Sequence, residues 1–135
     1  MKVGKPKQIF LSHSIKDHVF VQKLAAELRR QHLPVWISTH HLIGAQAWQD
    51  EIGRALHASD WFLIVLSPHS VKSMWVKREL QYALSEQRLE NRIVPVLLKR
   101  CQVDKLSWTL SNIQQIDFTH HYLNGLKKLL KIWKL

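Results

Sequence analysis

Asp17, Asp50, Glu51 and Glu79 are the carboxylates placed where they could act, and Glu79 has the most suitable neighbours. Trp75 lies one turn before it, at the spacing that brings two side chains together on a helix face. Ser73 begins the same predicted helix. With Val76 at the centre of the buried stripe, a turn of about 100° per residue puts Glu79 about 60° off it, at the border of the core. A half-buried carboxylate beside an indole and a hydroxyl can hold a ribose while a flat ring stacks nearby. The same residues also fit a solvated helix glutamate near Lys72 and Arg78, with Trp75 as a packing residue.

Other clusters carry less. Ser12, His13 and Asp17 supply the residue types of a hydrolase triad, but the chain has no GxSxG elbow to set their geometry. His40–His41 and His120–His121 are adjacent pairs whose rings point in different directions, and neither has a well-placed third ligand, so no metal site is expected. The single cysteine, Cys101, excludes an internal disulfide and a Cys-based zinc site, and favours a reducing compartment. With four glycines and no GxGxxG or P-loop, the chain lacks the phosphate cradles of dehydrogenases and kinases.

These residues need elements to position them. Ile9, Phe10 and Leu11 form a short apolar run typical of a strand buried on both faces, followed by the polar Ser12, His13 and Ser14. Ser14 and Asp17 resemble a capping box for a helix whose stripe is Phe20, Leu24 and Leu28. A second strand over residues 34–37 leads into a loop over 38–47, longer than the usual α/β connection and therefore a functional candidate. A helix over 48–58 follows, weakened by Gly53. Residues 61–66 are the strongest strand signal, stopped by Ser67-Pro68, and the helix bearing Glu79 runs from Ser73 to about Arg88. A fourth strand over 93–98 must place Pro95 at a bulge or where its missing N–H is not needed. A weak fifth strand over 115–118 and a helix over 122–133, with Tyr122, Leu126, Leu130 and Trp133 inward, complete the pattern. Five alternations of strand and helix predict an α/β, flavodoxin-like doubly wound fold, a five-stranded parallel sheet with helices on both faces. Ligands of such sheets bind at the carboxyl ends of the strands, where Ser12–Ser14, residues 38–47 and residues 67–73 would gather.

The chain has 135 residues, enough for one ordinary core, so the expected organisation is a flexible, exposed basic lead-in over 1–7 and one domain over 8–135. Hydrophobic residues make up 46% and charged ones 22%, the globular range and outside the disordered one. The longest apolar run is far below the ~20 residues of a membrane span, and a cytoplasmic location is expected. The net charge is +10. Twelve Lys and Arg stand against eight Asp and Glu in residues 1–90, and eight against two in residues 91–135. No recognition motif accompanies this charge, so direct nucleic-acid binding is disfavoured. Lys127, Lys128, Lys131 and Lys134 read as the solvated side of the last helix, and membrane binding is disfavoured as well.

Four segments make the sequence specific: IFLSHSIKDHVFVQKLAAEL (9–28), VWIS before LIGAQAW (35–38, 42–48), SDWFLIVLSPHSVKSMWVKREL (59–80) and RIVPVLL (92–98). In this order they resemble a TIR (Toll/interleukin-1 receptor) domain of the bacterial type, over essentially the whole chain. TIR domains divide into self-associating scaffolds and enzymes that cleave NAD+. The resemblance puts the catalytic glutamate on Glu79 and substrate contacts on Ser12, His13, Ser14, Ser38, Ser73 and Trp75. It puts a self-association loop on residues 38–47, with Leu42, Ile43, Gly44 and the adjacent Trp48. It implies an NAD+ nucleosidase, hydrolase or cyclase, acting when self-assembled as effector of a prokaryotic immune or cell-suicide system. NAD+ would be substrate, with no permanently bound cofactor, and a sensor domain or subunit would supply the trigger. The alternative is a non-catalytic signalling scaffold. Many relatives carry Asp directly after the second strand, where this chain has Ser38, so a contact there is lost or altered. The Pro-Gly loop signature of the animal type is absent.

Overall fold

The computed structural model describes residues 4–38 and 45–135, the side chains of 45–48 excepted. Five strands, β1 (Ile9–Ser12), β2 (Val35–Ile37), β3 (Trp61–Leu66), β4 (Ile93–Leu97) and β5 (Ile116–Asp117), form one parallel sheet in the order β2-β1-β3-β4-β5. Helices α1 (His18–Arg30), α2 (Ala45–Ala58), α3 (Met74–Ser85) and α4 (Tyr122–Lys131) cover it. This is the expected flavodoxin-like arrangement, and the strand order reverses between β1 and β3.

Side chains alternate across a strand, which explains the unbroken apolar runs. Ile9 and Leu11 of β1 and Leu63 and Val65 of β3 pack under α1 and α4, while Phe10, Phe62, Ile64 and Leu66 pack under α2 and α3. Both faces are therefore core. The lead-in is tied down at its end: Pro6 is buried, and the Lys7 N–H donates to the Asp60 carboxylate at 2.9 Å.

Several local expectations are corrected. Ser14 does accept a hydrogen bond, from the Lys16 N–H at 3.3 Å, but it caps a short 3-10 turn over Ile15–Asp17 and α1 starts only at His18. No capping box forms, because the Asp17 carboxylate turns to the Ser67 hydroxyl instead. Helix α2 starts at Ala45, ahead of the expected residue 48. Helix α3 stops at Ser85, short of Arg88: Glu86 is extended, Gln87–Leu89 form a 3-10 turn, and Leu89 is buried. The Arg88 guanidinium donates to the carbonyls of Leu56 (2.6 Å) and Ser59 at the end of α2. It thereby satisfies orphan carbonyls of that helix and draws the chain off the α3 axis. In α4, Leu129 is fully buried while Leu130 and Tyr122 are only partly so. Gly125 is the cause: a Cβ there would lie 2.7 Å from the Phe118 ring, so the bare backbone sits against the ring and turns Leu129 inward.

Pro95 is accommodated by strand alternation. The Arg92 carbonyl accepts from the Phe62 N–H (3.0 Å) and the Leu98 N–H donates to the Leu66 carbonyl (2.9 Å), so even-numbered residues of β4 face β3. The Leu97 carbonyl accepts from the Phe118 N–H (2.9 Å), so odd-numbered residues, Pro95 among them, face β5. The donor that Pro95 lacks is the one a continued ladder would offer to the Gln114 carbonyl. Strand β5 accordingly begins at Ile116, opposite Val96.

Candidate active site

Glu79 lies on the inner face of α3 with Val76, Leu80 and Ala83, and α3 packs on β1 and β3. It is 3% exposed, a core residue and not the border residue that the helix angle gave. The carboxyl ends of the neighbouring strands close over it. Ser12, the last residue of β1, donates from its hydroxyl to Oε1 at 2.6 Å. Ser38, immediately after β2, donates to Oε2 and is itself held by its N–H to the Leu11 carbonyl at 3.1 Å. Three residues far apart in sequence thus converge beside the point where the strand order reverses.

Burial pushes the Glu79 carboxyl up from its ordinary 4.5 to about 7, and the hydrogen bonds from Ser12 and Ser38 only partly oppose this. No Lys or Arg lies within ion-pair distance of it among the described residues. The displacement amounts to roughly 3 kcal/mol against the charged form. At neutral pH the group therefore divides between acid and carboxylate.

The remaining candidates surround this centre without all touching it. His13 and Ser14 are buried in the turn that follows Ser12. Ser73 is the N-cap of α3, its hydroxyl accepting from the Val76 N–H at 3.3 Å. Trp75 is half-buried one turn before Glu79, with the Arg78 guanidinium over its ring at 4.9 Å. Leu42, Ile43, Gly44 and the His40–His41 pair lie outside the described residues, and Trp48 is described only as backbone within α2. Asp50 and Glu51 are exposed on α2.

Asp17, one of the carboxylates the sequence offered, is a second buried one, and its partner Ser67 is what sequence reasoning missed. Asp17, 6% exposed, accepts from the Ser67 hydroxyl at 2.5 Å. Ser67 Oγ in turn accepts from the N–H groups of His69 (3.2 Å) and Ser70 (3.1 Å). This ties the turn after β1 to the turn before α3. A hydroxyl residue directly after the strongest apolar strand was the available signal, and it reads equally well as a strand stop.

A buried acid at the switch point of a parallel five-stranded sheet defines a doubly wound α/β protein with its site at the carboxyl edge. A family model for the TIR domain matches residues 9–130. The chain belongs to the TIR domain family. Over 115 residues it is 29% identical to the NAD(+) hydrolase PdTIR of Paracoccus denitrificans (strain Pd 1222), covering 84% of this chain and 38% of that protein. The chain thus spans less than half the length of this relative. In fold it is similar to the TIR domain of the Toll-related receptor TRR-2 from Hydra magnipapillata, with a TM-score of 0.73 and 18% identity over 94% of this chain and 98% of that one. It is also similar to the TIR domains of the activated Roq1 resistosome recognising the pathogen effector XopQ, with a TM-score of 0.70 and 19% identity over 93% and 98% of the two chains. Among the described residues no helix is long and apolar enough to cross a membrane.

Proposed function

We propose that this TIR domain cleaves the bond between nicotinamide and ribose in NAD+, with Glu79 as the catalytic group. The observation that carries this reading is the pair of hydroxyls on Glu79, one from Ser12 and one from Ser38. A carboxylate whose two oxygens each accept from a hydroxyl is built to accept from hydroxyls, and ribose offers two adjacent ones. The similarity to a protein named NAD(+) hydrolase supports the same chemistry.

One carboxylate suffices for this reaction. Glycosidases generally use two because an alkoxide leaving group must be protonated. Nicotinamide leaves NAD+ as a neutral ring, its positive charge discharged as the bond breaks, so no general acid is needed. Ionised Glu79 holds the ribose hydroxyls and stabilises the oxocarbenium-like transition state, or attacks it as nucleophile. The ADP-ribosyl group then passes to water or to an internal acceptor that closes a ring. Trp75 and Ser73 flank the flat ring, and His13 and Ser14 line the approach after β1.

Self-assembly completes the site. Ser38 both bonds Glu79 and opens the loop that joins β2 to α2, so a neighbour that engages this loop also acts on the carboxylate. A separate sensor domain or subunit drives assembly, and the domain serves as effector of a prokaryotic immune or cell-suicide system in the cytoplasm. The competing reading is a non-catalytic scaffold, and one observation favours it: at 3% exposure, Glu79 is closed to substrate in this conformation.

Nicotinamide release from NAD+, followed as protein concentration is raised or the protein is crowded on a support, separates the two. Specific activity that rises with concentration supports the enzyme; no release under any crowding condition contradicts it and leaves the scaffold.

A further inference from the structure

A cavity of about 700 Å³ runs along the β5 side of the sheet, from Trp61, Ile93 and Val94 at the amino-terminal ends of β3 and β4 to Ile116 and Asp117 opposite the end of β4, and shares no lining residue with the surroundings of Glu79. Its volume falls in the range of small-molecule sites. Trp61, Val94, Ile116 and Ile132 form apolar walls. The first two are core residues, and the Trp61 ring is fixed edge-on against Trp133, with centroids 5.4 Å apart.

The sequence builds this opening through Pro95. Because that residue offers no N–H toward β5, the ladder ends at Ile116, and Ile113, Gln114 and Gln115 leave the sheet and line the cavity.

Charge at the rim is asymmetric. Lys128 and Lys131 stand three residues apart on one face of α4 and both line the cavity. Neither has a carboxylate within ion-pair distance among the described residues. One carboxylate, Asp117, shares the rim: its Oδ1 accepts from the Thr119 N–H (2.7 Å) and hydroxyl (2.6 Å), and these bonds, with the charges of His120 and Lys128, hold it ionised, so the two lysines leave the rim with a net positive charge. Two ammoniums over an apolar floor match a ligand with an apolar body and a negative head.

We propose that this cavity is a binding site for a small amphipathic anion, a single carboxylate, sulfonate or phosphate group on an aromatic or aliphatic body. The apolar part lies against Trp61, Val94, Ile116 and Ile132, and the head is held by Lys128 and Lys131. The site is separate from the NAD+ chemistry and stands whether or not that reading holds.

The test titrates the full chain with 8-anilinonaphthalene-1-sulfonate, whose fluorescence rises on leaving water, in parallel with its uncharged counterpart N-phenyl-1-naphthylamine. Cooperative thermal unfolding establishes that each variant is folded. The expected result is saturable one-to-one binding that weakens about tenfold in the Lys128→Ala/Lys131→Ala variant and by a similar factor for the uncharged probe. Ile116→Trp, which fills the cavity, should abolish it, and where that variant does not fold, Ile132→Trp serves from the α4 side. Absence of saturation at millimolar probe overturns the proposal. So does an affinity unchanged by removal of the lysines, by loss of the probe's charge or by a folded cavity-filling variant.

Discussion

Glu79 accepts hydrogen bonds from two hydroxyls and meets no cation among the described residues, so burial dominates and its ionisation moves to about 7. Unfolding returns it to about 4.5. Between these values the folded chain binds more protons than the unfolded one. The contribution of this group to stability is therefore greatest below about pH 4.5, falls as pH rises and is fully lost above about 7, a change of roughly 3 kcal/mol. Glu79→Gln keeps the shape and removes the charge. Urea unfolding should find it more stable than the parent by about 1–3 kcal/mol at pH 8 and by less than about 1 kcal/mol at pH 5. Ser38 holds the Glu79 pKa below what burial alone would give, since its hydroxyl stabilises the charged form. The pH profile of kcat/KM for NAD+ should rise through about 7 in the parent and shift to higher pH in Ser38→Ala; a shift to lower pH would contradict the role given to this hydroxyl. Helix periodicity made Glu79 and its turn-mate Trp75 visible in the sequence. Its full burial was not visible, because Ser12 and Ser38 come from strands that only the sheet order brings together. Ser38 looked like a lost contact where relatives carry Asp; in the fold it is the donor that an ionised aspartate beside Glu79 would not be.

Within the elements, two helical glycines make opposite predictions. A methyl group on Gly53 meets nothing within 4 Å, so Gly53→Ala should raise stability by up to about 1 kcal/mol through helix propensity alone. At Gly125 the added carbon would lie 2.7 Å from Phe118, a ring enclosed by Phe20 and Tyr122, and Gly125→Ala should lower stability by about 1–3 kcal/mol despite the same propensity gain. Denaturant midpoints of the two variants check both signs. The strands and the two-faced core were legible because their apolar runs are continuous and their helices keep one stripe each. What escaped was set by contacts between elements. The early end of α3 depends on Arg88 reaching carbonyls of α2, and the turn of α4 depends on Phe118 meeting Gly125. Local propensity carries no trace of either. For Pro95 the sequence leaves open a bulge or a position without need of a donor, and the register of β4 between its two neighbours decides for the second.

Across the whole molecule the net charge of +10 opposes any assembly of identical chains. Ion pairs within the chain leave this excess unchanged, and the α4 lysines stand on the surface. If the domain works as an assembly, specific activity should rise severalfold as salt is raised to about 0.1–0.3 M, where charges more than about 10 Å apart are screened. Falling activity would instead mean that attraction of the NAD+ phosphates by the basic surface governs the rate. Nicotinamide release by concentrated Glu79→Gln protein, beside the parent at equal concentration, reaches the chemistry most directly. The parent should consume NAD+ while the variant, folded and at pH 8 more stable, releases no nicotinamide above background; turnover equal to the parent in that variant would contradict the assignment of the reaction to Glu79.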